Sequence, residues 1–177
     1  LSQGALRPEY EAVELGVAAS LARRAVAGAT GAPESTVARR TQTTGDLGTT
    51  AFELVTALHR LDAGEPLTVE EVYRTLCAVA AAAGAGSQEV KVERLAALLG
   101  RASALEAKYL VRFVLGTLRV GVREMSILDA LSMAFADGSK DARSRIEAAY
   151  NWSSDLGLVA GALVSGGLPA LDAIRLE

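Results

Sequence analysis

Two short stretches constrain this chain more than any others: Thr68-Val-Glu-Glu71 and Ser103-Ala-Leu-Glu106. In each, a hydroxyl residue precedes a glutamate by three positions at the head of a run of apolar residues. A Thr or Ser at that place accepts a hydrogen bond from the backbone three residues on, and the glutamate returns the favour to the first residue's own N–H. Each box therefore opens a helix. Between them, Gly84-Ala-Gly86-Ser87 ends one helix and starts the next, and Gly100 closes that one. A chain punctuated this closely has room for short helices and turns but not for strands.

The rest follows the same rhythm. Val13, Val17, Leu21 and Ala25 predict one amphipathic face over Tyr10 to Ala29, stopped at Thr30-Gly-Ala-Pro33. A short helix runs through Val37 to about Thr43. Another spans Asp46 to Leu61, with Phe52, Val55 and Leu54 or Leu58 turned inward. The capping boxes open helices reaching about Ala83 and Leu118, with a helix ending at Leu99 between them. Ser126 to Phe135, Asp141 to Trp152, Asp155 to Val164 and Pro169 to Ile174 complete the set. No segment alternates with period two, so the expected fold is all-α, a bundle of about nine short helices. Aromatics make up 5% of the chain while 50% is hydrophobic, which favours close helix packing through Ala and Leu. Thr43-Thr-Gly-Asp-Leu-Gly48 echoes Ser153-Ser-Asp-Leu-Gly157. Both suit helix N-caps, either as two similar starts or as the mark of two pseudo-symmetric lobes.

The formal net charge of -3 hides an uneven distribution. Residues 1–90 carry 7 basic and 11 acidic side chains, residues 91–145 carry 10 and 6, and residues 146–177 carry 1 and 4. Only the middle segment is cationic. Within it Lys91, Arg94 and Arg101 recur at helical spacing, as do Lys108, Arg112 and Arg119. Two such stripes can attract phosphates; they are equally the pattern of ordinary solvated faces. The Gly84-Ala-Gly-Ser-Gln88 turn leads straight into a helix start, where free N–H groups bind anions, or it is a plain tight connector. It is no nucleotide fingerprint.

Several chemistries are excluded. His59 stands alone and Cys77 is the single cysteine, so neither a histidine pair nor a cysteine zinc site can form. No Ser-His-Asp or Cys-His arrangement emerges. Cys77 and Trp152 are expected to pack as apolar residues. No apolar run approaches the ~20 residues that span a bilayer, and a single cysteine fits a reducing compartment.

Taken in order, the segments resemble a known family. Gly116-Thr-Leu-Arg119-Val-Gly121, within Leu110 to Ala130, resembles the signature of the DNA-binding domain of ATP-dependent DNA ligases, closest to the archaeal replicative type. Gly84 to Gln88 followed by Lys91, Leu105 to Leu110, Thr44 to Gly48, Tyr150 to Gly157 and Gly166-Gly-Leu168 are similar to further stretches of it. The resemblance covers residues 1–177 as one DNA-binding domain, with earlier helices and the nucleotidyltransferase and OB-fold domains outside the chain. It implies a domain that lies along the minor groove of nicked double-stranded DNA, for strand joining in replication and repair. It implies contacts from Gly84, Gly86, Ser87, Gln88, Lys91, Gly116, Thr117, Arg119 and Gly121, with Lys108 and Arg112 in support. It also implies a cytoplasmic, nucleoid-associated protein and a sliding clamp as a further partner.

The family's Lys-x-Asp-Gly nucleotidyltransferase motif is missing, since Lys140-Asp141 is followed by Ala142. No cofactor, metal or activity is therefore expected of this chain, and ATP and Mg²⁺ belong to the parent enzyme. The rival from another class is a helical protein-interaction or scaffold module whose basic strip is merely solvated.

Overall fold

The computed structural model describes residue 6 and residues 13–58, 66–118 and 124–174. Nine helices and no strand occur among them, and they fall into two compact units, 13–118 and 124–174. The all-α expectation holds.

The first unit contains α1 (Ala19–Thr30), α2 (Glu34–Thr44), α3 (Leu47–Ala57), α4 (Val69–Ala81), α5 (Ser87–Arg101) and α6 (Ala104–Val114). Two pairings dominate it, α1 on α5 and α3 on α6. Small residues make the first one close. Ala22 and Ala25 face Leu95, Leu98 and Leu99, and a Cβ on Gly28 would stand 3.2 Å from that of Ala96. In the second, Leu47, Ala51, Leu54 and Val55 of α3 and Ala107, Val111 and Phe113 of α6 are buried. Helix α4 folds back on α5 as a hairpin, so that Glu71 near its start meets Arg101 at the end of α5.

The second unit packs α7 (Glu124–Phe135), α8 (Lys140–Ser153) and α9 (Leu156–Leu171) around Leu128, Ile146, Ala149, Val159 and Leu163. Helix α9 takes in the expected Asp155–Val164 segment and the start of the expected Pro169–Ile174 one, ending at Leu171. Gly167, at φ 64° and ψ -162°, breaks the helical path between them.

The side-chain N-caps are where the sequence placed them, whereas Gly100 does not close α5, which runs through it to Arg101. Thr68 and Ser103 each sit in a complete capping box. Asp46 accepts from the Thr49 N–H at 2.7 Å, and Asp155 from those of Gly157 and Leu158 at 2.8 and 3.0 Å. The two echoed segments thus do the same job, one in each unit.

Four expectations need correction. Helix α1 starts at Ala19, because residues 13–18 are not helical and Gly16 takes a left-handed φ of 58°. Phe52 lies at the surface rather than inward, while Val55 is buried as expected and Leu54 rather than Leu58 joins it. The sixth helix stops at Val114, short of Leu118. Leu115, Gly116 and Thr117 turn back on it, with Gly116 at φ 65° donating to the Phe113 carbonyl at 3.0 Å and Thr117 to that of Arg112 at 2.8 Å, the paired bonds of a Schellman cap. Trp152 is 54% exposed rather than packed; it borders an open groove with Arg145, Ala148 and Ile174. Cys77 is a free thiol, partly buried. His59 and Leu61 lie outside the described residues.

Candidate nucleic-acid interface

The tip of the α4–α5 hairpin is built from glycine. After Ala81 the chain must reverse within a few residues, and Gly84 and Gly86 do this at φ 82° and 81°. Ser87 donates its N–H to the Gly84 carbonyl at 3.2 Å, closing the turn. Gly86 is then the N-cap of α5. Having no side chain, it leaves the first turn of α5 without a capping oxygen. Gly84, Ala85, Gly86 and Gln88 are exposed and Ser87 half-buried. A Cβ on either glycine would meet nothing within 4 Å, so the turn is open to anything that approaches. A helix start with uncapped N–H groups and no side chain over it favours an anion.

Lys91, one turn further along, does not join that surface. It is only 8% exposed, and its Nζ donates to the Leu15 carbonyl at 2.7 Å. A Cβ on Gly16 would lie 2.9 Å from the same nitrogen. The ammonium is thus spent holding residues 13–18 against α5. The expected stripe of Lys91, Arg94 and Arg101 is broken by this: Arg94 and Arg101 are exposed, and Lys91 is inside.

On α6 the basic residues divide similarly. Arg112 is half-buried and grips Asp46, its Nη2 at 2.8 Å and Nε at 3.1 Å from the same carboxylate oxygen. Burial alone would raise the pKa of Asp46. The Arg112 guanidinium, together with the Thr49 hydroxyl and N–H, reverses this and holds it at about 2. Gly48 lies beneath this pair. A Cβ there would stand 2.7 Å from the Lys108 carbonyl oxygen and 2.8 Å from Cγ of Arg112, so only glycine lets α3 and α6 come this close. Lys108 reaches over Phe52, its Nζ 5.7 Å from the ring centroid, a cation–π distance, and stays partly open to solvent. Gly116 and Thr117 at the end of α6 are exposed. Arg119 and Gly121 lie outside the described residues.

Sequence reasoning passed over Asp46 and Gly48 as partners of this face. The signal was present, since Asp-Leu-Gly was noted as a helix start. Nothing local says that a cap residue of α3 will also meet an arginine three helices on, in α6.

Elsewhere the cations of the middle segment are largely paired. Arg143 meets Asp129 and Glu147, and Arg145 meets Asp172. Among the described residues no cluster of metal-ligating side chains forms and no helix is long and apolar enough to cross a membrane.

The family model for the DNA ligase N terminus matches residues 1–132. The chain belongs to that family. Among its curated relatives, "DNA ligase 2" of Thermofilum pendens is 48% identical over 100% of this chain and 31% of its own length. A DNA ligase of Cenarchaeum symbiosum is 45% identical over 97% and 29%, and one of Acidianus ambivalens 41% over 98% and 30%. The chain therefore spans about 30% of the length of these relatives.

Proposed function

We propose that this chain is the DNA-binding domain of an ATP-dependent DNA ligase and grips nicked duplex DNA through backbone phosphates and sugars along the minor groove, without reading sequence. The observation that carries this is the pair of exposed glycine turns in the first unit. The Gly84–Gln88 turn offers an uncapped helix start, and the Gly116–Thr117 turn offers exposed backbone at the end of α6. Both expose backbone with open space around their glycines, which suits close approach of a sugar-phosphate chain. Contacts of this kind position a duplex and carry no sequence information.

Gly84, Gly86, Ser87 and Gln88 hold one stretch of backbone. Gly116, Thr117, Arg119 and Gly121 hold another, with Lys108 alongside. Lys91 and Arg112 serve from beneath: the first ties residues 13–18 to α5, and the second fixes α6 against the cap of α3. In the parent protein the nucleotidyltransferase and OB-fold domains bring ATP and Mg²⁺ and join a 3'-hydroxyl to a 5'-phosphate, in replication and repair. A sliding clamp is a further partner of that longer protein.

Titrating labelled nicked and intact duplex at several salt concentrations tests the reading. A patch meeting ~4 to 6 phosphates gives a log-log slope of roughly -4 to -5. A flat salt response, or no binding at low salt, would overturn it.

A further inference from the structure

Along the flank of the α4–α5 hairpin the two helices leave a cleft of about 370 Å³, lined by Glu71, Arg74 and Thr75 on one side and Arg94, Ala97, Leu98 and Arg101 on the other. Three guanidinium groups share this space with one carboxylate. That carboxylate is fully engaged. One oxygen of Glu71 accepts from the N–H and hydroxyl of Thr68 at 3.0 and 3.1 Å, and the other from Arg101 at 3.2 Å. Arg74 meets Glu70 at 2.9 Å, but both side chains are some 70% exposed, 69% and 74%, and such a pair holds loosely. Arg94 is exposed and forms no ion pair among the described residues. Arginines gathered only to brace a fold are matched by acids. Here Arg94 has no acid partner among the described residues and Arg74 only an exposed pair that a stronger anion can displace, above a floor of Ala97 and Leu98.

The cleft is aligned with the glycine turn. Ser87, Arg94 and Arg101 follow one another at steps of seven on α5, and a step of seven drifts only about 20° around a helix. At 1.5 Å per residue, Arg94 stands ~10 Å and Arg101 ~21 Å down the helix from the tip. A guanidinium matches a phosphate with two parallel hydrogen bonds.

We propose that this cleft is a second phosphate-binding site, in which Arg74 and Arg94 take the backbone of the same duplex that the hairpin tip contacts. The proposal rests on the DNA-binding reading of the tip. A duplex suits it better than an acidic peptide, because evenly spaced phosphates meet two anion sites on one helix line without any matching of side chains.

The test uses the full chain with both arginines replaced, R74A/R94A, beside R74K/R94K. Labelled duplex is titrated between about 50 and 200 mM salt. The alanine pair should lower affinity about 10- to 100-fold at the low-salt end and reduce the salt slope by about two. The lysine pair should keep the slope. Helicity and melting temperature should be unchanged, since both arginines project from the surface. If R74A/R94A binds duplex with the wild-type slope while the wild type itself binds, the cleft is no phosphate site and the tip reading survives. If the wild type shows no salt-dependent binding, both fall together. A glutamate-rich peptide is titrated in parallel; loss of peptide binding in R74A/R94A with duplex binding intact would assign the cleft to an acidic protein segment and overturn the DNA assignment.

Discussion

The α3–α6 seam and the α4–α5 hairpin tip are made from the same materials and put them to opposite uses. Both depend on glycine at or near a helix start. At the seam, Gly48 has a carbonyl oxygen within 2.7 Å of where a Cβ would stand, and Arg112 is locked onto Asp46. At the tip, Gly84 and Gly86 have open space around them and are needed for a positive φ alone. One region uses glycine to bring helices together, the other to expose backbone. The difference lies in what is opposite each residue, and that is set by tertiary pairing.

The comparison breaks first at Gly48. Helix propensity favours alanine over glycine by ~1 kcal/mol, yet Gly48→Ala should destabilise by about 2 kcal/mol or more, because the new methyl meets backbone that cannot swing aside. A melting temperature equal to the wild type's would show that α3 and α6 can part without cost. Next comes Asp46, which caps α3 and anchors Arg112. Asp46→Ala should lose ~1–2 kcal/mol, most of it the cap. The same residue sets a pH window. Its pKa is about 2 in the folded protein, against 3.8 ordinarily, so the stability it contributes is complete above pH ~4 and is lost as pH falls from there towards 2. Melting curves across that window should flatten in Asp46→Ala; an unchanged acid limb would place the sensitivity elsewhere.

At the tip the effects are smaller. Gly84→Ala meets no clash, so only the left-handed backbone resists it, at about 1 kcal/mol. If its cost matched that of Gly48→Ala, the two glycines would not differ as described. The smallest change in stability is expected for Ser87→Asp. A carboxylate in the first turn of a helix is favourable by ~0.3–1 kcal/mol, so the variant should melt slightly higher. It should also bind duplex about three- to tenfold more weakly, because the same charge repels phosphate. Weaker folding together with unaltered binding would contradict both halves.

The helices were legible because their signals are local. Thr68, Ser103, Asp46 and Asp155 cap within a turn of themselves, and Gly31 and Gly45 end α1 and α2 in the left-handed conformation that glycine takes at no cost. The mistakes occur where a residue's role depends on a distant partner. Lys91 has the same spacing as an exposed basic stripe, and only the path of residues 13–18 puts it inside. Phe52 and Leu54 are both apolar and two positions apart, so the face of α3 that meets α6 could not be chosen from the pattern. The early stop of α6 follows from Gly116, which the sequence marked as part of a motif rather than as a cap. Of the candidate contacts, the glycine turns were readable as turns. Which cations face outward was not, because pairing consumed Arg112, Arg143 and Arg145.

The burial of Lys91 also makes it a clock. Lys91, Lys108 and Lys140 are the three lysines of the chain. Lys140 is exposed and Lys108 partly so, while the amine of Lys91 has exchanged its water shell for the Leu15 carbonyl. An acylating reagent in limited amount should modify Lys140 and Lys108 quickly and reach Lys91 only when residues 13–18 lift away from α5. The rate at which mass spectrometry finds an acyl group on Lys91 therefore measures how often that segment opens. Once acylated, the nitrogen can no longer carry its charge back to the carbonyl, so each modification leaves the segment released.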